Sequence, residues 1–144
     1  METLLKKLDS KTNNNMVIFN MPPEFESVER NLNKEIHVYK SNTAIKTEFV
    51  LIFIKTKAEL EHFTLHNRSY LLSFCDDLIW FAYPKENSEK YGNKSNISCD
   101  EGWEPLLDLG YKGVRMVSID SDWTAFRVRK EEYILKQGKT RGEA

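Results

Sequence analysis

Leu78-Ile79-Trp80-Phe81-Ala82-Tyr83-Pro84-Lys85 decides the fold. The apolar run Leu78 to Tyr83 is too brief for a helix, is rich in aromatic and branched residues, and turns polar abruptly at Lys85. It reads as a strand covered on both faces, the kind found in parallel sheets with helices above and below. Two upstream stretches repeat the pattern. Phe49-Val50-Leu51-Ile52-Phe53-Ile54 is the strongest strand and predicts the middle of the core. Met16 to Met21 is nearly continuous apolar and is stopped by Pro22-Pro23, because proline cannot donate to a ladder.

Helical signals fill the intervals. Leu4, Leu5 and Leu8 predict a short amphipathic first helix that stops before Asn13, Asn14 and Asn15, residues suited to a turn. Phe25, Val28 and Leu32 recur at helical spacing behind Pro23, with Glu24, Glu26 and Glu29 suited to the positive end of the helix dipole. Glu35 to Lys40 alternates, Ile36 and Val38 inward, His37 and Tyr39 outward, as in a more exposed strand near an edge. Thr56 and Glu59 form a capping box for a helix whose inner face, Leu60, Phe63, Leu71 and Phe74, is weakest at Asn67.

The polar stretch Glu86 to Ile97 makes the longest loop. Ser98 and Glu101 repeat the capping-box spacing and predict a helix with Trp103, Leu106 and Leu107 facing inward. Pro105 must kink this helix or start it late, and Gly110 and Gly113 end it. Val114 to Ile119 and Trp123 to Arg129 flank Asp120, Ser121 and Asp122 and predict an antiparallel pair. Strands alternating with helices and closing on a hairpin give an α/β, three-layer Rossmann-like sandwich. Its sheet is mainly parallel with a C-terminal antiparallel strand. We expect a single domain over residues 1–135 and a charged, flexible tail over 136–144. The order is similar to the class I methyltransferase architecture, in which a terminal antiparallel strand slots beside the last parallel one.

The chain has 144 residues, about 40% of them apolar, which suits one hydrophobic core. Its 21 basic and 22 acidic side chains nearly cancel, which argues against nucleic acid as a partner and against a polybasic membrane-surface protein. No apolar run approaches the roughly 18 residues of a membrane span, and the start, Met-Glu-Thr-Leu-Leu-Lys-Lys, lacks the apolar core of a signal peptide, so the expected location is cytoplasmic. Cys75 and Cys99 match no metal spacing and are expected as thiols, one buried and one near a loop.

Asn20 to Phe25, Lys57-Ala58-Glu59-Leu60, Trp80 to Lys85, Gly102-Trp103-Glu104, Gly113-Val114-Arg115, and Ile119 to Arg127 follow one another in a specific order. On these segments the chain resembles a bacterial family, domain of unknown function 3052, from the first helix to about Arg129. Tyr83-Pro84-Lys85 and the stretch with Trp123, Ala125, Phe126 and Arg127 are the most specific parts. Pro105, in a helix usually free of proline, and Asn13 to Asn15, in place of a glycine-containing turn, depart from the family. The resemblance implies a Rossmann-like, methyltransferase-like topology without a glycine-rich cofactor turn, and no established activity.

The residues speak to the cofactor directly. Dinucleotide and methyltransferase folds use glycine after the first strand so that the backbone can approach the ligand. The turn here, Asn20-Met21-Pro22-Pro23-Glu24, has no glycine, lacks two amide donors, and carries a carboxylate that would repel phosphate. No cofactor is expected. His62 and His66, with Glu59 one turn earlier, could share a helical face and bind a metal, but lack a third ligand, and the plain reading is a solvated face; no metal is expected. Ser98 and Cys99 could be nucleophiles, against the capping role that already explains Ser98. Asp120 and Asp122 could be paired carboxylates, against the backbone preference of turns for aspartate.

The candidate ligand site is the carboxyl end of the Leu78 strand, where open α/β sheets collect ligands. Tyr83, Lys85, Ser88, Lys94 and Ser98 would suit a small anion there, with Trp123, Arg127 and Arg129 on a neighbouring strand face for a ligand or partner. The plain alternatives are that Lys85 solvates a strand end and that Tyr83 and Trp123 are core. Two functions follow: a non-catalytic binding or interaction module engaging a protein partner or small anion, or an enzyme acting on a small anionic substrate near Lys85. The Glu35 to Lys40 edge could pair in a homo-oligomer.

Overall fold

A computed structural model describes residues 3–41, 45–92, 95–98 and 101–135. The three apolar runs become adjacent parallel strands: β1 (Asn15–Phe19), β3 (Phe49–Phe53) and β4 (Leu78–Pro84). β2 (His37–Ser41) pairs with the free side of β1, while β6 (Trp123–Lys130) pairs antiparallel with both β4 and β5 (Tyr111–Ser118). The sheet order is therefore β2-β1-β3-β4-β6-β5, with β2 and β5 at the edges. This is the predicted three-layer Rossmann-like sandwich, mainly parallel with an antiparallel strand next to last in the sheet.

Alternating strand residues feed two separate cores. On one face Val17, Phe19, Val50, Ile52, Phe81 and Val128 pack against α3 (Lys57–His66), α4 (Arg68–Ser73) and α5 (Glu104–Leu107). On the other, Met16, Ile18, Leu51, Phe53, Trp80, Trp123 and Ala125 meet α1 (Leu4–Lys7) and α2 (Glu26–Leu32). The Trp80 indole donates to the Leu8 carbonyl at 3.0 Å and fixes the end of α1 on this face. No helix among the described residues is long and apolar enough to cross a membrane.

Local signals explain most boundaries. The Thr56 hydroxyl accepts from the Glu59 amide at 3.2 Å and caps the helix as expected, while the Glu59 carboxylate reaches back one residue further, to the Lys55 amide at 3.1 Å, in a shifted form of the capping box. Asn67 divides the expected long helix into α3 and α4. The second capping box does not form. The Ser98 amide donates to the Glu101 carbonyl, Gly102 takes φ +101°, and the helix starts only at Glu104, with Pro105 in its first turn where a missing amide costs nothing. Trp103 and Leu106 face inward as expected, but Leu107, at the end of the four-residue helix, is 52% exposed, and Gly113, expected to end that helix, lies inside β5, whose start at Tyr111 precedes the expected Val114.

In the β5–β6 turn, Asp120 Oδ1 accepts from the amides of Asp122 and Trp123 at 2.8 and 2.9 Å, the backbone role that turns favour aspartate for. Cys75 is an exposed free thiol and therefore not the buried one; Cys99 lies outside the described residues, as do Lys94 and the tail 136–144.

Candidate functional site

In an open α/β sheet the ligand crevice lies where neighbouring strands leave in opposite directions, here between the carboxyl ends of β1 and β3. Asn20 stands in the position where glycine is usual. It adopts the left-handed conformation at φ +56°, which asparagine tolerates, and its side-chain amide reaches across to the Phe53 carbonyl at 3.4 Å. The switch point is thus bridged by a side chain rather than opened by a glycine.

The segment after β4 closes the same edge. Its backbone coils tightly, with Ser88 N donating to the Lys85 carbonyl at 3.1 Å and Gly92 N to the Ser88 carbonyl at 2.9 Å. A Cβ on Gly92 would fall 2.4 Å from the Glu86 carbonyl oxygen, so this approach requires glycine. The coil delivers Tyr91, the single aromatic residue between Glu86 and Ile97, onto the edge. Its ring packs 5.1 Å from that of Trp123, lies within 5.5 Å of both the Lys55 and Lys90 ammonium groups, and its hydroxyl donates to Glu24. Lys90 completes the cluster with an ion pair to Glu24 at 3.2 Å.

The electrostatics follow from these contacts. Burial raises the Tyr91 phenol pKa, and the Glu24 carboxylate raises it further. Burial also acts to raise the Glu24 pKa, but the Tyr91 hydroxyl and Lys90 outweigh it and hold the carboxyl below its ordinary 4.5. A depressed carboxyl stabilises the fold above its unfolded-state pKa, and this contribution is lost as pH falls through the folded-state value. Tyr91→Phe is therefore expected to cost about 1–2 kcal/mol near neutrality. The difference from the parent should shrink as pH drops below about 4. Urea melts across this range measure it; a constant difference at every pH would break the assignment to Glu24.

The expected site residues are not brought together. Tyr83 and Trp123 lie on opposite faces of the sheet, since Tyr83 pairs with Thr124 and the side chain of Trp123 faces the other way. Both are buried, Trp123 completely, and Trp123 packs on Phe53 and Tyr91. Ser98 is on the Tyr83 side, its carbonyl accepting from the Trp103 indole at 2.6 Å. Lys85 and Ser88 do sit together with the hairpin turn. Lys85 Nζ donates to the Ser118 hydroxyl at 2.6 Å, and the Ser88 hydroxyl donates to Asp122 at 2.7 Å. Beside them is a cavity of about 540 Å³ lined by Lys85, Asn87, Glu89, Lys90, Ser121 and Asp122.

His62 and His66 stack at 3.9 Å between ring centroids, with His66 Nδ1 against the His62 carbonyl. No group of three metal-ligating side chains occurs among the described residues. The sequence reading missed Tyr91, Lys55 and the positioning role of Asn20. Tyr91-Gly92, an aromatic residue beside glycine in a polar loop, was the one available signal.

Neither a protein-family model nor a curated protein matches the chain. Among solved structures it is similar to Sp1610 of Streptococcus pneumoniae, provisionally a tRNA (m1A22) methyltransferase, at 10% identity and TM-score 0.49, over 90% of this chain and 70% of that one. It is also similar to the N-methyltransferase NodS of Bradyrhizobium japonicum WM9, at 14% identity and TM-score 0.46, over 89% and 93%. A third is the B. subtilis m1A22 tRNA methyltransferase TrmK, at 10% identity and TM-score 0.43, over 90% and 66%. At such identities the likeness concerns the fold alone.

Proposed function

We propose that this chain is a non-catalytic binding or interaction module on a Rossmann-like scaffold, with the kinship to domain of unknown function 3052 part of the same reading. The observation that supports it is the closed carboxyl edge. Asn20 bridges β1 to β3, and Tyr91, tied to Glu24, covers the neighbouring surface that a cofactor would need. The reading departs from the enzymatic solved neighbours, and the departure rests on two features of this chain. Pro22 and Pro23 supply no amide donors after β1, and the following 3-10 turn Pro23–Phe25 has no side-chain cap and carries Glu24, which repels anions, in its first turn.

The second reading, an enzyme acting on a small anionic substrate near Lys85, draws on the cavity there. Its cations Lys85 and Lys90 are matched by Glu89 and Asp122, so it has no excess of positive charge to select an anion.

Thermal melting with S-adenosylmethionine and with inorganic phosphate tests both readings. A ligand at a hundred times its dissociation constant adds about 2.7 kcal/mol. We expect no shift with either. A shift with S-adenosylmethionine overturns the module reading, and a phosphate shift abolished by Lys85→Ala establishes the second.

A further inference from the structure

The α1-side face of the β5–β6 hairpin concentrates positive charge in a chain whose net charge is −1. Arg115 stands opposite Arg127, and Lys112 opposite Arg129, so two like-charged cross-strand pairs adjoin on one face. Directly opposed like charges destabilise a sheet, so their presence needs a compensating anion. Their alignment depends on a bulge. Residues three apart on a regular strand point to opposite faces, but the register shifts between Gly113 and Arg115, and this puts Lys112 in phase with Arg115.

The protein's own carboxylates offset part of the charge. Asp9, in the left-handed region at φ +64°, meets Arg115 and also Arg127 at 3.4 Å. Asp76 accepts from Arg129 Nε and Nη2 at 2.8 and 2.6 Å, and Glu131 pairs with Lys112 at 3.3 Å. Arg127 Nε is buried with no hydrogen-bond partner, while the side chains of Lys112 and Arg115 remain about half exposed. These cations lie against an outer strand. β5 ends the sheet, and Val114 and Met116 on it are 41% and 48% exposed.

We propose that β5 is a docking edge for an extended acidic segment of a partner protein, added as a further strand with carboxylates over Lys112 and Arg115 and apolar side chains over Val114 and Met116. This mode of recognition takes affinity from backbone pairing and specificity from alternate side chains. Charge decides between occupants. Residues 111–118 carry two cations and no carboxylate, so pairing β5 with its copy brings cations together, whereas an acidic strand is complementary. Nucleic acid would leave the free backbone edge unused, and the anions already seated on these cations are carboxylates.

The inference rests on the module reading and is tested apart from it, with the full chain and a labelled peptide of alternating glutamate and valine, as long as β5. We expect saturable binding that slows amide exchange at residues 115–118, weakens with added salt, and falls about tenfold in Lys112→Gln/Arg115→Gln. Lys112→Gln alone, remote from the Asp9 contact, should show a smaller loss at unchanged melting temperature. Equal binding of a lysine–valine peptide, no exchange protection in β5, indifference to the double substitution, or tighter binding of oligothymidylate through the same residues overturns the docking edge. Absence of peptide binding together with silence toward S-adenosylmethionine removes this inference and leaves the module reading; S-adenosylmethionine binding removes the module reading itself.

Discussion

Trp123→Ala lowers stability by about 3–5 kcal/mol, the cost of emptying a fully buried aromatic site. The ring lies edge-on to Phe53 at 5.0 Å and supports Tyr91 at 5.1 Å, so its loss opens a cavity under the segment that closes the carboxyl edge. The indole Nε1 is buried without a hydrogen-bond partner. Trp123→Phe therefore loses volume but no hydrogen bond, and removes an unsatisfied donor that is itself unfavourable, so it should cost much less than alanine. Urea denaturation of both variants measures this. A cost below about 1 kcal/mol for Trp123→Ala would place the ring outside the core and return it to the candidate ligand residues. Lys85→Ala, by contrast, should change stability by no more than about 0.5 kcal/mol.

Gly113→Ala is expected to cost about 2–3 kcal/mol, at the upper end of overpacking effects. A Cβ at Gly113 would stand 1.9 Å from Phe126 Cζ, and the ring cannot simply swing aside because it is packed 4.7 Å from Trp103 and 6.5 Å from Tyr83 between centroids. Gly113 does not need the left-handed region, so the penalty is steric and reports ring packing alone. Phe126→Leu in the same chain should recover part of the loss, because the two sites share the clash and their effects do not add. If the single variant melts with the parent, the close packing of Phe126 over β5 is wrong.

The glycine also shows why a motif can be seen and misread. Gly110 and Gly113 are equally plausible helix terminators by sequence, yet only Gly110 has a positive φ, +89°, and Gly113 serves an aromatic ring arriving from the next strand. The Ser98 and Glu101 pair failed for a comparable reason. Capping-box spacing matches the geometry of Thr56 and Glu59, but at Ser98 the positive φ of Gly102 interrupts the chain before a turn of helix can form.

By itself the sequence determined the layer order and most elements. Continuous apolar runs require covering on both faces, prolines and caps set ends, and these constraints act over neighbouring residues. It also determined that the turn after β1 offers no glycine and few amides. Tertiary structure alone decided the site. Whether Tyr83 and Trp123 share a surface depends on cross-strand register, which sets them on opposite faces, and Tyr91 meets Glu24 only because the chain between them builds three strands that bring the two ends together. The cationic face of β5 and β6 likewise arises from a single-residue bulge beside Gly113, and although a glycine inside a strand can mark a bulge, only the pairing with β6 shows that the shift brings Lys112 and Arg115 into phase.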